Sequence, residues 1–291
     1  MKSAPFTYHA PRSISEAIDL LGRLENARVL GGGQSLMAMM NLRVASLDHL
    51  IDLGRITELV GIAEDETSIS IGAMTTQRAI EKSALIRANC PLLSYAIDCV
   101  GHQQTRNRGT IGGSLCHLDP GAELPVAALA LDATLTIAGP RGERSLRFAD
   151  FALGYLSVAL EPDEILTRIA VPKARARETS AFLEFNRRPA DFAIVSVAAR
   201  LTLGDGGGIT KAIVAVGGVG EVPRRLDDVE SALANQVAGA GLFETAAQNV
   251  RTMACDGDDL YPAGFRRDVC ETLVKRALRQ ALARAEVDAH V

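Results

Sequence analysis

The sequence has no apolar run approaching the roughly 18 residues that suggest a membrane span, which argues against a transmembrane segment. Its N-terminus, Met1-Lys2-Ser3-Ala4-Pro5-Phe6, lacks the apolar stretch of a secretory signal, so a cytoplasmic protein is the expectation. A surplus of positive charge is also missing. Lys+Arg 31 against Asp+Glu 35 leaves a net charge of −4 and no global electrostatic case for nucleic-acid binding. Cysteines number five, at positions 90, 99, 116, 255 and 270, and none forms a C-x-x-C pair. That pattern predicts neither a disulfide framework nor a zinc or iron–sulfur site, and the cysteines read as small apolar residues. No glycine loop is followed by the lysine of a phosphate-binding P-loop, which argues against nucleotide hydrolysis.

What is present is an ordinary globular balance, 47% apolar and 23% charged, in a chain of 291 residues, long enough for about two domains. Ser13-Ile14-Ser15-Glu16 is a capping-box pattern, and Ile14, Ala17, Ile18, Leu21 and Leu24 follow at helical spacing, so a helix is expected over 14–24. Strands are expected over 27–30, 50–53 and 68–73, and helices from Thr75 or Thr76 toward Ile80, over 91–100 and over 125–131. A strand near 135–138 precedes a turn at Gly139-Pro140-Arg141-Gly142, and a strand over 165–171, closed by Pro172, leaves the first domain. Beyond it, 181–185, 193–203 and 209–216 are β-prone, the last two joined by Gly204-Asp205-Gly206-Gly207-Gly208. Helices are expected within 226–253 and over 264–286, the last with Val269, Leu273, Leu278 and Leu282 as its buried stripe. Arg266, Arg267, Lys275, Arg276, Arg279 and Arg284 on that helix read as a solvated face.

Two glycine-bearing segments carry the functional signal. The apolar run Ala27-Arg28-Val29-Leu30 empties into Gly31-Gly32-Gly33-Gln34-Ser35-Leu36, and Thr110-Ile111-Gly112-Gly113-Ser114 lies about 80 positions later. Consecutive glycines give up packing and cost backbone entropy, so they mark either a tight strand-to-helix turn or a backbone that lets an anion come close. The first segment has Leu36 where the dinucleotide fingerprint G-x-G-x-x-G places its last glycine. Two such turns, each offering N–H groups with the hydroxyls of Ser35, Thr110 and Ser114, form the expected walls of a site for a long dianionic ligand such as FAD. Cys116, His117 and Asp119 lack a fourth metal ligand at useful spacing, and Arg106 and Arg108 could meet phosphate, a partner or solvent.

The stretch from Gly31 to Arg43 resembles the first flavin-binding signature of the FAD subunit of molybdenum hydroxylases, and that from Thr110 to Glu123 resembles the second. The likeness runs through Asp163-Glu164-Ile165-Leu166, Phe185-Asn186-Arg187-Arg188 and Asp191-Phe192-Ala193, and so spans essentially the whole chain. The resemblance implies an α+β protein: a PCMH-type FAD-binding domain of two α/β subdomains over 1–175, then a C-terminal domain over 176–291 with a three-stranded antiparallel sheet and helices. It places non-covalent FAD between Leu30, Gly31, Gly32, Gly33, Gln34, Ser35 and Leu36 on one wall and Thr110, Ile111, Gly112, Gly113 and Ser114 on the other. Glu123, Ile165, Leu166 and Phe192 join the site on the same ground. No catalytic residue and no metal ligand is implied in this chain.

The implied function is electron transfer. A large molybdenum-cofactor subunit and a small subunit with 2Fe-2S clusters are the implied partners, in a dimer of heterotrimers, with this chain passing electrons from the clusters to an external acceptor. Two other readings stay open at this point. One is a self-contained PCMH-type flavin oxidoreductase with its own substrate pocket; the other is a non-enzymatic assembly protein that retains the fold.

Overall fold

The computed structural model describes residues 2–288. The chain opens with β1 (Thr7–His9), α1 (Ile14–Arg23), β2 (Ala27–Leu30), α2 (Leu36–Asn41) and β3 (His49–Asp52). The three strands form a parallel sheet in the order β1-β3-β2. Ser13 caps α1 by accepting from the N–H of Glu16 at 3.1 Å, while Glu16 reaches back to the N–H of Arg12 at 2.8 Å. That is the predicted capping box displaced by one donor. Ala17 and Leu21 turn the apolar stripe of α1 onto Ile51, Leu53 and Ile56.

A second subdomain follows: β4 (Ile62–Glu64), β5 (Ser68–Gly72), α3 (Gln77–Lys82), α4 (Ala84–Asn89), α5 (Pro91–Cys99), α6 (Gln103–Arg108), α7 (Ile111–His117) and α8 (Glu123–Ala130). It continues with β6 (Thr134–Gly139), β7 (Gly142–Arg147), α9 (Phe148–Phe151), the hairpin of β8 (Ala152–Gly154) and β9 (Ser157–Val158), and β10 (Ile165–Pro172). Its five-stranded sheet has the order β4-β5-β10-β6-β7, every pairing antiparallel. The strand expected to leave the domain, β10, therefore returns to the middle of the sheet. Ile165, Leu166, Ile169 and Val171 are buried there.

Arg106 corrects the expectation of a phosphate, partner or solvent contact. It donates to Glu81 of α3 at 2.9 Å and to the carbonyls of Val100 and Gly101 at 2.8 Å each, tying α6 to α3 and to the end of α5. Arg106 and, second to it, Arg78 hold the Glu81 carboxyl down to about 2 from its usual 4.5. A depressed carboxylate contributes stability that is full above pH 4.5 and is lost as pH falls through about 2. Glu81→Gln is expected to flatten the fall of Tm with pH in that window while changing Tm little between wild type and variant once both are fully acid-titrated. An acid limb identical to that of the wild type would refute the pairing.

The C-terminal part comprises β11 (Glu178–Asn186), β12 (Ala193–Leu203), β13 (Ile209–Gly217), β14 (Arg224–Arg225), α10 (Asp227–Leu233), α11 (Ala240–Ala247) and α12 (Ala263–Asp288). The expected three-stranded sheet gains a fourth short strand, giving the order β11-β12-β13-β14. One face of this sheet carries Phe182, Ala198, Ile213 and Ala215 into the core shared with α5 and α8. The other face packs on α10, α11 and α12, which is why β12 is buried along most of its length.

The buried stripe of α12 differs from the expected one. Cys270, Leu273, Val274, Ala277, Leu278 and Ala281 are buried, whereas Val269 and Leu282 sit at its margin. The helix is not a uniformly solvated cationic face either. Arg266 donates to the carbonyls of Ile194 at 2.8 Å and Gly218 at 2.6 Å, and Arg284 donates to that of Ser180 at 2.7 Å while lying 3.6 Å from the Tyr95 ring centroid. Two of its arginines therefore act as crosslinks.

Candidate functional site

A cavity of about 560 Å³ lies between the two subdomains, with Phe192, just ahead of β12, at its edge. Its first wall is the turn after β2. Leu30 pairs with Asp52 in the parallel sheet, and the chain then leaves the sheet through Gly31, Gly32 and Gly33, the last at φ +73. Among the described residues the backbone N–H groups of Gly32, Gly33, Gln34 and Ser35 donate to no acceptor in the chain, and Ser35 makes no capping bond of its own. Adjacent N–H groups without partners, bordering a cavity, form a concavity suited to an anion.

The second glycine segment behaves differently from expectation. It is not a loop of free N–H groups but the first turn of α7, capped by Thr110. The N–H of Ile111 goes to the Thr75 carbonyl at 3.1 Å, that of Gly112 to the Ala73 carbonyl at 2.9 Å, and that of Ser114 to the Thr110 carbonyl at 3.1 Å. Gly113 donates to Thr110 Oγ1 at 3.1 Å. These glycines serve close packing instead. A Cβ on Gly112 would lie 2.7 Å from both the Cβ and the carbonyl oxygen of Ala73, and one on Gly31 would sit 3.0 Å from Thr110 Oγ1. The two glycine segments thus touch each other and leave a smooth surface facing the cavity.

Of the residues expected in the site, Gly31 to Leu36, Thr110, Gly112, Gly113, Ser114, Glu123, Ile165, Leu166 and Phe192 all line the cavity. Leu30 and Ile111 do not. Leu30 packs against the Met40, Leu47 and Leu50 cluster, and Ile111 is 3% exposed within the main core. Phe192 is 59% exposed and so is a rim residue, not a core aromatic. The lining also includes Arg28, Gln77, His117 and Asp119, of which the first two bore no motif. Gln77 Oε1 is buried without a partner, a signal visible only in three dimensions.

The electrostatics are set by burial. Glu123, the first residue of α8, is 4% exposed, and its carboxyl is pushed up to about 8, chiefly by loss of solvent. His117 is shifted down by burial, partly offset by Asp119, and the Cys116 thiol is pushed up to about 12. Glu164, also in the lining, is held low by Arg144, which grips both its oxygens at 2.9 and 2.7 Å. Among the described residues no group of three or more His, Cys, Asp or Glu side chains could hold a metal ion, and no helix is long and apolar enough to cross a membrane.

A cavity walled by free backbone amides, a capped helix turn and an exposed aromatic suits a long anionic ligand with an aromatic end, in a protein of mixed α and β structure. The family profile described as "FAD binding domain in molybdopterin dehydrogenase" matches residues 4–174, and that described as "CO dehydrogenase flavoprotein C-terminal domain" matches residues 180–281. The chain is 35% identical to the 6-hydroxypseudooxynicotine dehydrogenase complex subunit alpha of Paenarthrobacter nicotinovorans, over 98% of this chain and 97% of that one. It is 34% identical to the carbon monoxide dehydrogenase medium chain of Hydrogenophaga pseudoflava, over 96% of this chain and 98% of that one. A solved carbon monoxide dehydrogenase from the same organism, lacking the Mo-pyranopterin moiety of its cofactor, superposes with a TM-score of 0.94 at 36% identity, covering 98% of this chain and 99% of that one. The chain belongs to the family of FAD-binding medium subunits of molybdenum hydroxylases. Its polar groups fit the cofactor: four unpartnered amide donors and the orphaned Gln77 acceptor oxygen match acceptors and donors that a dinucleotide carries.

Proposed function

We propose that this chain holds FAD non-covalently in the cavity and relays electrons from iron–sulfur clusters of a partner subunit to an external acceptor. The row of free N–H groups from Gly32 to Ser35 carries this reading, because it supplies donors for a pyrophosphate where no side-chain cation is needed. Gly31, Leu36, Thr110, Gly112, Gly113 and Ser114 would shape the same groove, while Glu123, Ile165, Leu166 and Phe192 would border the flavin end. Bound FAD supplies the redox chemistry; the protein's part is to position it, exclude water and set the polarity around it. Leu30 and Ile111 would act from behind the wall.

The same reading places a large molybdenum-cofactor subunit and a small iron–sulfur subunit beside this chain, as a dimer of heterotrimers in the cytoplasm. It divides the chain into an FAD domain over 1–175 and a C-terminal domain over 176–291. The relatives named as medium chain and complex subunit favour an assembly over a self-contained oxidoreductase.

Reconstitution with FAD, followed by gel filtration and absorbance, tests the core of the proposal. One flavin per chain is the expected result, and a chain without flavin bands would overturn it. Gly33→Val is expected to lose the flavin with the fold retained, because its backbone at φ +73 is strained for a β-branched residue. Gly113→Val should do the same by pushing on Thr110 Oγ1, which a Cβ would meet at 2.8 Å. Full flavin content in both variants would remove these two positions from the site.

A further inference from the structure

The cavity has two lobes, one at each end of α7. The first is built around Gly109, which lies between α6 and α7. Its N–H donates to the Thr105 carbonyl at 2.7 Å, and its own carbonyl accepts from the N–H of Gln77, the first residue of α3, at 2.8 Å. A Cβ on Gly109 would lie 2.6 Å from Gln77 Oε1 and 3.1 Å from the Thr105 carbonyl oxygen, so glycine here leaves the room that the Gln77 amide occupies. Gln77, Val100, Thr105 and Gly109 all line the cavity. This lobe borders the free amides, because a Cβ on Gly32 would lie 2.7 Å from the Gly109 Cα. The second lobe lies beyond the other end of α7, a helix of seven residues and so about 10 Å long. Glu123 and Phe192 line it, and Phe192 stands there beside Gly121, whose would-be Cβ meets the Phe192 Cβ at 3.3 Å.

In the first lobe one polar atom lacks a partner. Gln77 is 5% exposed, and its Oε1 is buried without a hydrogen bond. The N–H groups of Gly109 and of Gln77 itself are already committed, the one to Thr105 and the other to Gly109. An amide oxygen only accepts, so whatever completes it must carry a donor. A buried acceptor left open is costly and rare, and one on the wall of a ligand cavity points to a donor on the ligand. Val100, Thr105 and Gly109 beside it carry no charge, which suits a neutral base and not a further phosphate. A dinucleotide anchored by its pyrophosphate at Gly32 to Ser35 sends its two bases to opposite sides of that anchor. With the flavin toward Glu123 and Phe192, the purine falls to the Gln77 lobe, and the exocyclic 6-amino group of adenine is a neutral N–H donor.

We propose that Gln77 is a specificity-determining residue of the cofactor site, its Oε1 accepting from the adenine 6-amino group in the lobe formed with Val100, Thr105 and Gly109. The inference rests on the FAD reading above and extends it from the pyrophosphate to the base. Gln77 carries a cost in the free protein that only a ligand with this donor removes. The site therefore favours an adenine dinucleotide over a flavin that ends at its phosphate.

The test compares the full-length wild type with Gln77→Met, which keeps the length of the side chain and removes the amide. Binding of FAD, and of ADP as the part of the cofactor without the flavin, is measured by titration calorimetry, and Tm is measured on the ligand-free proteins. Q77M is expected to bind both ligands about tenfold more weakly, the scale of one lost hydrogen bond. Its ligand-free Tm is expected to equal or exceed that of the wild type, because the orphaned acceptor is gone; a glutamine with a purely structural role would give a lower one. Equal affinity of the two proteins for either ligand overturns the inference. So does a wild type that binds FAD but not ADP, or a ligand-free Q77M with a clearly lower Tm, and each of these leaves the cofactor reading intact. A wild type that binds no FAD overturns the cofactor reading first.

Discussion

Gly32→Ala is expected to abolish FAD binding and to lower the stability of the first domain together, an outcome different from that of its neighbours. An added Cβ at position 32 would lie 2.1 Å from the Arg108 carbonyl oxygen and 2.7 Å from both the Arg108 carbonyl carbon and the Gly109 Cα. Every one of those atoms is backbone, so no side-chain rotation relieves the clash. The turn after β2 would have to lift away from the end of α6 and from the Thr110 cap behind it. Overpacking of this kind costs about 1–3 kcal/mol or more where the surroundings are rigid. The lift would also misplace the free amides of Gly33, Gln34 and Ser35. Gly22 is the control: it sits on α1 with no atom within 4 Å of its would-be Cβ, so Gly22→Ala is expected to be neutral or slightly stabilising. Flavin per chain and Tm, measured on both variants, check the contrast. A Gly32→Ala protein with wild-type flavin content and Tm would show that the two glycine segments do not touch as described.

The same pair of segments shows how far the sequence could be read. Three glycines after an apolar run announce a backbone that something approaches closely, and Gly31 to Ser35 do line the cavity. The pattern could not distinguish whether that something was a ligand or another stretch of chain. For Gly33 it is the turn itself, for Gly31, Gly32 and Gly112 a neighbouring segment. The capping role of Thr110 was hidden because Gly112 and Gly113 are poor helix formers, and tertiary bonds to Ala73 and Thr75 override their propensity. β7 escaped notice since its residues are almost all exposed and carry no alternation, and β14 because it is two arginines. The stripe on α12 was legible in part: Leu273 and Leu278 are buried in it and Val269 and Leu282 lie at its margin, while Cys270, Ala277 and Ala281, which weigh little in a count of large apolar residues, were missed. Gln77 carried no motif at all. Its place beside Gly109 follows from the meeting of α3 and α6, which only the folded chain specifies.

Arg200→Met is expected to be the most destabilising single change at the interface between the C-terminal sheet and α8. Arg200 and Glu178 are cross-strand neighbours on β12 and β11, with side chains 9% and 8% exposed, and both Nε and Nη2 of Arg200 reach Glu178 Oε1, at 3.0 and 2.9 Å. Its Nη1 covers the Ala130 carbonyl, one of the last in α8, whose intrahelical partner is missing because the helix ends there. Removing the guanidinium would strand a buried carboxylate and a buried carbonyl at once. Breaking one side of a buried ion pair typically costs about 3–5 kcal/mol, far more than the pair's net worth when both partners are replaced by apolar groups. The double variant Arg200→Met with Glu178→Leu is therefore expected to recover much of the loss. It should not recover all of it, since the Ala130 carbonyl still lacks its donor. Urea unfolding of the two single variants and the double variant gives the coupling energy directly. Additive losses would mean that the two side chains do not depend on each other. Recovery would show that the end of the interface away from the cavity is held by a closed polar network of Arg200, Glu178 and the last carbonyl of α8.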